Sequence, residues 1–116
     1  MKIPSDGKLL RVFIGEQDKW HGRPLYEAIV QLARKQGLAG ATCIKGFLGY
    51  GAKSHLHTTQ LLRLSEDLPI LIEIVDSEEK IQAFLPQLDS MIQDGLITLE
   101  KVEVLMYRAR QTPGSR

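Results

Sequence analysis

The sequence predicts one α+β domain of the ferredoxin-like kind, in which a four-stranded antiparallel sheet carries two helices on one face. Segments rich in β-forming residues alternate with two segments of helical periodicity, in the order βαββαβ. A chain of 116 residues is long enough to bury one hydrophobic core. Placing both amphipathic helices on one face of the sheet is the simplest way to bury the apolar sides of these elements.

The first strand and the first helix flank a polar loop. Residues 9–14 are rich in β-forming side chains and end at Gly15, which predicts a strand. From Pro24 to Gly37 the apolar residues recur at helical spacing, which predicts a helix. Proline suits a first helical turn and glycine suits the position just past the end, so these two residues mark its bounds.

Two further strands flank a long polar stretch. Residues 41–48 predict the second strand, and the polar stretch that follows to about Asp67 is too long for a plain hairpin. The nearly continuous apolar run at residues 68–75 predicts a central third strand, with Pro69 at its edge.

The second helix and the fourth strand complete the order. Asp76 begins a segment that resembles a capping box, and apolar residues then follow one helical face until Gly95. Pro86 lies inside this helix and predicts a kink or a break. Residues 96–107 predict the last strand, whose apolar alternation slips near residues 100–101 and therefore predicts a bulge.

Composition bounds the class of protein and its surroundings. We expect residues 1–8 to be an N-terminal extension, residues 9–107 to be the domain and residues 108–116 to be a mobile tail. The 15 basic and 14 acidic side chains nearly balance, which argues against a nucleic-acid partner. The lone Cys43, and the lack of an apolar run of signal-peptide or membrane-span length, predict a cytoplasmic protein.

Alternation along the strands assigns the two faces of the sheet. The face away from the helices is too apolar to stay in water, so we expect it to bury against other subunits; the alternative is a monomer whose charges reach solvent. In the strand order 4-1-3-2, its charges Glu103, Arg11, Glu73 and Lys45 would alternate in sign across the sheet. The helix side is predicted to hold Leu10, Val12, Ile14, Thr42, Ile44, Ile70, Ile72, Ile74, Val102, Val104 and Met106. The opposite face is predicted to hold the interface residues Arg11, Phe13, Lys45, Phe47, Leu71, Glu73 and Leu105, together with Leu9, Cys43, Val75, Glu103 and Tyr107.

A glycine-rich segment at the end of the second strand is the first candidate for binding. In residues 46–51, GFLGYG, the missing side chains either let the backbone approach a phosphate or relieve a bend of the strand. The segment lacks the spacing of the common nucleotide-binding glycine loops, so both interpretations stay open. Basic residues of two connections supply donors for an anionic ligand. The candidate binding residues are Gly46, Gly49, Tyr50, Gly51, Lys53, His57, Arg63, Lys19, His21 and Arg23.

Metal binding and catalysis find weaker support in the pattern. His55 and His57 would point to the same side of an extended segment, but two ligands do not complete a metal site. Cys43 or His21 of another subunit could complete one, whereas a solvated loop histidine is the commoner case, so we predict no metal. No serine has an activating local motif, and we therefore predict that the protein is not an enzyme.

Seven short motifs occur in order over about residues 9–107. They are IGE at 14–16 with Asp18 and Lys19, GRPLYE at 22–27, GFLGYG at 46–51, His57, LSEDLP at 64–69, EIVD at 73–76 and GLIT at 95–98. Together they resemble the uncharacterised PII-like proteins of bacteria and archaea, which are related in fold to the nitrogen-regulatory PII proteins.

The resemblance carries expectations about assembly and function. It implies a ferredoxin-like homotrimer whose sheets face inward, and an adenine nucleotide (ADP, AMP or ATP) in clefts between subunits near the long loop after the second strand. It further implies a signalling protein that regulates a partner. Relatives of this kind are encoded beside fluoride-channel-like membrane proteins, which makes a channel or transporter the candidate partner. A divalent-metal-binding trimer like the copper-tolerance proteins of similar fold, or a small enzyme, stays as the alternative.

Overall fold

The computed structural model describes residues 5–52 and 67–110. Four of its strands form one antiparallel sheet in the order β4-β5-β1-β6, and β2 and β3 form a separate short hairpin. This is the predicted ferredoxin-like α+β fold with the predicted strand order. No helix in the described ranges is long and apolar enough to cross a membrane. The elements are β1 (Asp6–Gly15), β2 (Lys19–Trp20), β3 (Arg23–Pro24), α1 (Leu25–Lys35), β4 (Thr42–Lys45), β5 (Pro69–Asp76), α2 (Glu78–Met91) and β6 (Leu96–Glu103).

The core lies between the two helices and one face of the two central strands. Leu10 and Val12 of β1 are fully buried there, as is Ile72 of β5. The helices cover them with Ile29 of α1 and Phe84 of α2, which are at most 1% exposed. Each such side chain stabilises the fold by roughly 1.5–3 kcal/mol through burial. The predicted helix-side residues of β1 and β5 are thus confirmed as core.

The central strands differ from prediction only at their ends. β1 begins at Asp6, inside the stretch expected to be an N-terminal extension. It pairs with β5 from Lys8↔Asp76 to Gly15↔Pro69 without interruption. At the other end of the chain, residues 108–110 lie in no strand or helix. The predicted tail beyond them lies outside the described residues.

The face of β4 is the reverse of the prediction. Thr42 pairs with Glu73 and Cys43 pairs with Ile72. Antiparallel partners share a face of the sheet, so Thr42 and Ile44 lie away from the helices, while Cys43 and Lys45 lie on the helix side. The sequence TCIK has an apolar residue on each face, and hydrophobicity therefore does not set the register of this strand.

The predicted bulge in β6 is wrong. The strand keeps one register against β1 from Phe13↔Leu96 to Asp6↔Glu103. Leu99 pairs with Leu10 on the helix side, but Val102 pairs with Gly7 on the opposite face. The apolar side chains of this edge strand change face, which is why their alternation slips although the backbone does not.

The chain beyond β6 no longer follows the alternation of the sheet. A Cβ built at Gly7 would lie 3.0 Å from Val104 Cγ2 and 3.5 Å from Val102 Cγ2, so Val104 also lies away from the helix side. The strand ends at Glu103, four residues before the predicted end, and Met106 is 64% exposed. The predicted placement of Val102, Val104 and Met106 on the helix side is therefore wrong.

We call the sheet face opposite the helices the open face. Among the described residues it carries Leu9, Arg11, Phe13, Thr42, Ile44, Leu71, Glu73, Val75, Leu96, Thr98, Glu100 and Val102.

The two helices keep their predicted places, with one change in capping and one at a proline. Gly37 with φ +80° follows the end of α1, as predicted, whereas Pro24 ends β3 and lies just before the helix and not in its first turn. Helix α2 continues through Pro86, so of the predicted kink or break the break is wrong, and the kink stays a prediction. The cap of α2 is Ser77, whose Oγ accepts from the Lys80 N–H at 3.3 Å, in place of the predicted Asp76.

Asp76 has a different role from the predicted cap. It is 3% exposed and is the last residue of β5. Its carboxylate accepts hydrogen bonds from the backbone N–H of Ser77 at 2.7 Å and of Ala39 at 2.8 Å. A buried charge needs such partners, and here they tie the start of α2 to the segment that leads into β4.

Candidate functional site

Three segments from two connections meet at one end of the main sheet. The Gly46 N–H donates to the Pro69 carbonyl at 2.8 Å, which joins the segment after β4 to the start of β5. The Glu16 N–H donates to the Leu68 carbonyl at 2.8 Å, which brings the loop after β1 to the same place. We call residues 15–24, 46–52 and 67–69 the candidate site, since the two connections that carry the predicted binding residues come together there.

Carboxylates hold the loop after β1 in shape. Asp18 Oδ2 accepts from the Gly15 N–H at 3.0 Å, and Asp67 Oδ1 accepts from the Gln17 N–H at 3.0 Å. The Asp18 carbonyl accepts from the Leu25 N–H at 2.8 Å, which connects the loop to the start of α1. These bonds satisfy backbone donors that a free loop would expose, and they hold the loop after β1 in one conformation at the candidate site.

The glycines of the GFLGYG segment divide into two kinds. A Cβ at Gly46 would lie 2.8 Å from Pro69 Cγ, and one at Gly49 would lie 3.0 Å from the same atom. These two glycines therefore leave room for the proline ring, which is a structural reason for glycine other than the predicted bend of the strand. A Cβ at Gly51 would meet no atom of residues 5–52 or 67–110 within 4 Å, and the residue is exposed, so a ligand can approach its backbone.

The predicted basic residues of the first connection lie on the β2–β3 hairpin. Its two-residue loop has φ +50° at His21 and φ +81° at Gly22, as a type I′ turn requires. The sequence predicts only a loop here, because two-residue strands are too short to show a period. The turn exposes Lys19, His21 and Arg23.

The Trp20 ring is a feature of this hairpin that no pattern in the sequence indicates. It stacks on the His21 ring with centroids 4.0 Å apart and planes 17° apart. Trp20 also packs against the core as a partly buried residue. Trp20 thereby holds the hairpin against the body of the domain, and so it fixes the position from which the side chains of Lys19, His21 and Arg23 extend.

Three predicted binding residues, Lys53, His57 and Arg63, lie outside the described residues, and so does His55. Tyr50 lies in the candidate site and is 72% exposed. In the described ranges no group of three or more His, Cys, Asp or Glu side chains is placed to hold a metal ion.

Lys45 lies at the candidate site and not on the open face. Its Nζ is 2.9 Å from Glu16 Oε2, and this hydrogen bond raises the pKa of Lys45. The pair links the end of β4 to the loop after β1. Lys45 is predicted to lie on the interface face, and this prediction is wrong. The register of β4 places Lys45 on the helix side.

The open face carries a row of three charges. Arg11 Nε is 2.9 Å from Glu73 Oε2, and Arg11 Nη1 is 2.9 Å from Glu100 Oε1. The predicted alternation of sign is thus present at Arg11 and Glu73, but Glu100 takes the place of Glu103. Around this row the face shows apolar side chains to solvent: Phe13 is 36% exposed, Ile44 46% and Leu96 55%.

Comparison with known sequences identifies relatives over most of the chain. The family model DUF190, described as "Uncharacterized ACR, COG1993", matches residues 7–104. A UPF0166 protein of Aquifex aeolicus (strain VF5) is 41% identical over 98 residues, which cover 84% of this chain and 92% of the relative. A UPF0166 protein of Methanocaldococcus jannaschii is 38% identical over 98 residues, covering 84% and 90%.

Comparison with solved structures finds the same fold in PII-like proteins. CPII from Thiomonas intermedia K12, bound to ADP, AMP and acetate, matches with a TM-score of 0.59 at 19% identity over 90% of this chain and 92% of that one. A putative PII-like signaling protein from Thermus thermophilus matches with a TM-score of 0.59 at 19% identity over 90% and 93%. The PII-like fold expected from the motifs is confirmed.

Proposed function

Because the chain belongs to the DUF190 family and has a PII-like fold, we propose that it is a regulatory protein that binds an adenine nucleotide at the candidate site. It acts as a homotrimer in the cytoplasm and controls a partner protein, with a membrane channel or transporter as the candidate, and it carries out no catalysis itself. The observation that supports this most is the meeting of two polar connections beside the open backbone of Gly51.

The chemistry of the candidate site suits a nucleotide. The accessible backbone at Gly51 offers close approach to a phosphate, and the exposed Lys19 and Arg23 offer positive charge on the neighbouring hairpin. Charge-assisted hydrogen bonds of this kind contribute roughly 1.5–3 kcal/mol each. Tyr50 is exposed and can stack on an adenine ring. CPII, the similar protein of Thiomonas intermedia, was crystallised with ADP and AMP.

The remaining proposed ligands come from the segment between β4 and β5. Lys53, His57 and Arg63 belong to the same connection as Gly51, and we include them among the ligands of the phosphates. In a trimer either the same subunit or its neighbour can supply them. The open face supports the trimer, since Phe13, Ile44 and Leu96 would leave water if it packed against further copies.

Calorimetric titration with AMP, ADP and ATP tests the proposed function. In the unmodified protein at least one of the three nucleotides should bind. We expect Gly51→Val to block approach of the phosphate, and Arg23→Ala and Arg63→Ala each to weaken binding by about tenfold or more, at 1.4 kcal/mol per decade.

Arg34→Ala is the matched control, because Arg34 is an exposed arginine in the last turn of α1, at the end of the helix away from the candidate site. It should bind like the unmodified protein. Unchanged affinity in all three site variants would move the site elsewhere, and no binding of any nucleotide by the unmodified protein would refute the nucleotide proposal.

A further inference from the structure

The segment after β4 presents two large apolar side chains to water. Phe47 is 89% exposed and Leu48 is 65% exposed. We call these two residues the apolar tip. Neither is needed to fill the core of its own chain, because every residue of that core is at most 8% exposed without them. Two adjacent large apolar side chains in this state are typical of a contact with another surface.

An apolar groove lies at the other end of the open face. Its volume is about 580 Å³, and its floor includes Leu9, Val75 and Val102 of three neighbouring strands. One wall is the segment after β6, residues 104–107, which we call the C-terminal strap. The strap is fastened at both ends, since the Val104 N–H donates to the Ser5 carbonyl at 2.7 Å and the Tyr107 hydroxyl donates to the Ala39 carbonyl at 2.7 Å.

The size and lining of the groove fit the apolar tip. A cavity of about 150 Å³ holds a benzene ring, so a groove of about 580 Å³ has room for a phenylalanine and a leucine side chain together. On the rim, Leu105 is 87% exposed and Met106 is 64% exposed. These side chains would leave water if the tip entered.

A chain cannot place its tip in its own groove. The groove includes Thr42 at the start of β4, whereas the tip follows Lys45 at the end of the same strand. A four-residue strand separates its ends by roughly 10–13 Å, and the rigid pairing with β5 keeps them apart. Only a second copy can bring an apolar tip to this groove.

We propose that the apolar tip of one copy docks in the groove of the next copy. The contact joins two different surfaces, so each copy offers a tip to one neighbour and a groove to the other. Such a contact is heterologous and closes into a ring when the rotation between copies is right. The inference rests on the proposed trimer, in which three tips would fill three grooves.

Disulfide cross-linking tests the docking. Phe47→Cys and Leu105→Cys are made as separate variants of Cys43→Ser protein, then co-expressed and exposed to a mild oxidant. We expect a mixed disulfide between positions 47 and 105 as the main product, and a closed covalent ring when both cysteines are in one chain. Gln31→Cys, on the exposed side of α1, replaces Leu105→Cys in the control and should give little product with Phe47→Cys.

Light scattering of the same samples separates failure of the docking from failure of the trimer. A trimer that forms no 47–105 disulfide, or that forms mainly 47–47 disulfides, would overturn the docking and leave the trimer intact. A monomer would refute both. Phe47→Ser gives a second measurement: it should weaken association about tenfold or more without changing the fold of the chain, because the side chain is 89% exposed within one copy. Unchanged association in this variant would also overturn the docking.

Discussion

The two faces of the main sheet are built from alternate residues of the same strands, but only one of them is complete within a single chain. On the helix side Val12 and Ile72 are fully buried, and no charge lies among the buried residues of these strands on that side except Asp76 at its end. On the open face their neighbours Arg11 and Glu73 form an ion pair beside Phe13, which is 36% exposed. Alternation of side chains along the same strands thus builds a buried core on one face and a partly exposed apolar surface on the other.

Truncation of adjacent residues on β5 should give the largest difference between the two faces, measured as the loss of free energy of unfolding. Ile72 is fully buried on the helix side, and Ile72→Ala should lower the free energy of unfolding by roughly 2–5 kcal/mol. Leu71 lies on the open face and is half-buried, so Leu71→Ala should cost less than half as much in monomeric protein. Urea unfolding at low protein concentration measures both values. Equal costs would mean that the open face is as tightly packed within one chain as the core.

A charge on the open face should break the assembly and spare the fold. Leu71→Lys would place an unpaired charge in the proposed interface, which we expect to weaken association roughly 100-fold or more and leave a folded monomer. Light scattering gives the mass, and circular dichroism gives the fold. Gln31→Lys adds the same charge on the exposed side of α1 and should remain a trimer. A monomeric unmodified protein would remove the premise of this prediction.

Alkylation of cysteines at neighbouring positions of β4 should give the smallest and most local effect. Cys43 lies on the helix side, so its rate of alkylation should be the same in the unmodified protein and in the Leu71→Lys variant, the expected monomer. Ile44 lies on the open face, and Ile44→Cys in Cys43→Ser protein should react several-fold more slowly in the trimer than in the monomer. Similar protection of both positions would contradict the register of β4.

The pH dependence of the same reaction reports on Cys43 itself. Partial desolvation raises the pKa of the Cys43 thiol above that of a free cysteine, although the residue as a whole is exposed. A smaller fraction is therefore thiolate at pH about 8, and the rate should continue to rise above the pH at which a free cysteine levels off.

The sequence predicts the central strands and α1 well because their patterns admit one solution. In β5, Glu73 is the single charge within the isoleucine-rich run of residues 70–75, and it alone decides which residues face the helices. In β4 the sequence TCIK offers an apolar residue to either face, so its register depends on pairing with β5 and could not be predicted. The same holds for β6, an edge strand whose apolar side chains change face between Leu99 and Val102.

The candidate site was predictable in part. The types of residue at its edge, glycine and basic side chains, could be identified from the sequence, and the fold brings Gly51 and the β2–β3 hairpin to one end of the sheet. Pairing between distant residues could not be identified. Lys45 and Glu16 are 29 positions apart, and nothing in either segment indicates that they meet.

The hydrogen bond from Tyr107 to Ala39 has a mechanical consequence for the whole sheet. Tyr107 follows β6 and Ala39 precedes β4, and these strands are the two edges of the sheet. Three strand spacings of about 4.8 Å lie between these edges, so the sheet is roughly 14 Å wide here. The C-terminal strap holds the sheet at this width at this end. In the described ranges no comparable bond joins the two edge strands at the opposite end, so a change of twist should appear mainly there. That end is where Gly46, Gly51 and the β2–β3 hairpin lie, so deformation caused by a partner at one edge would be felt first at the candidate site.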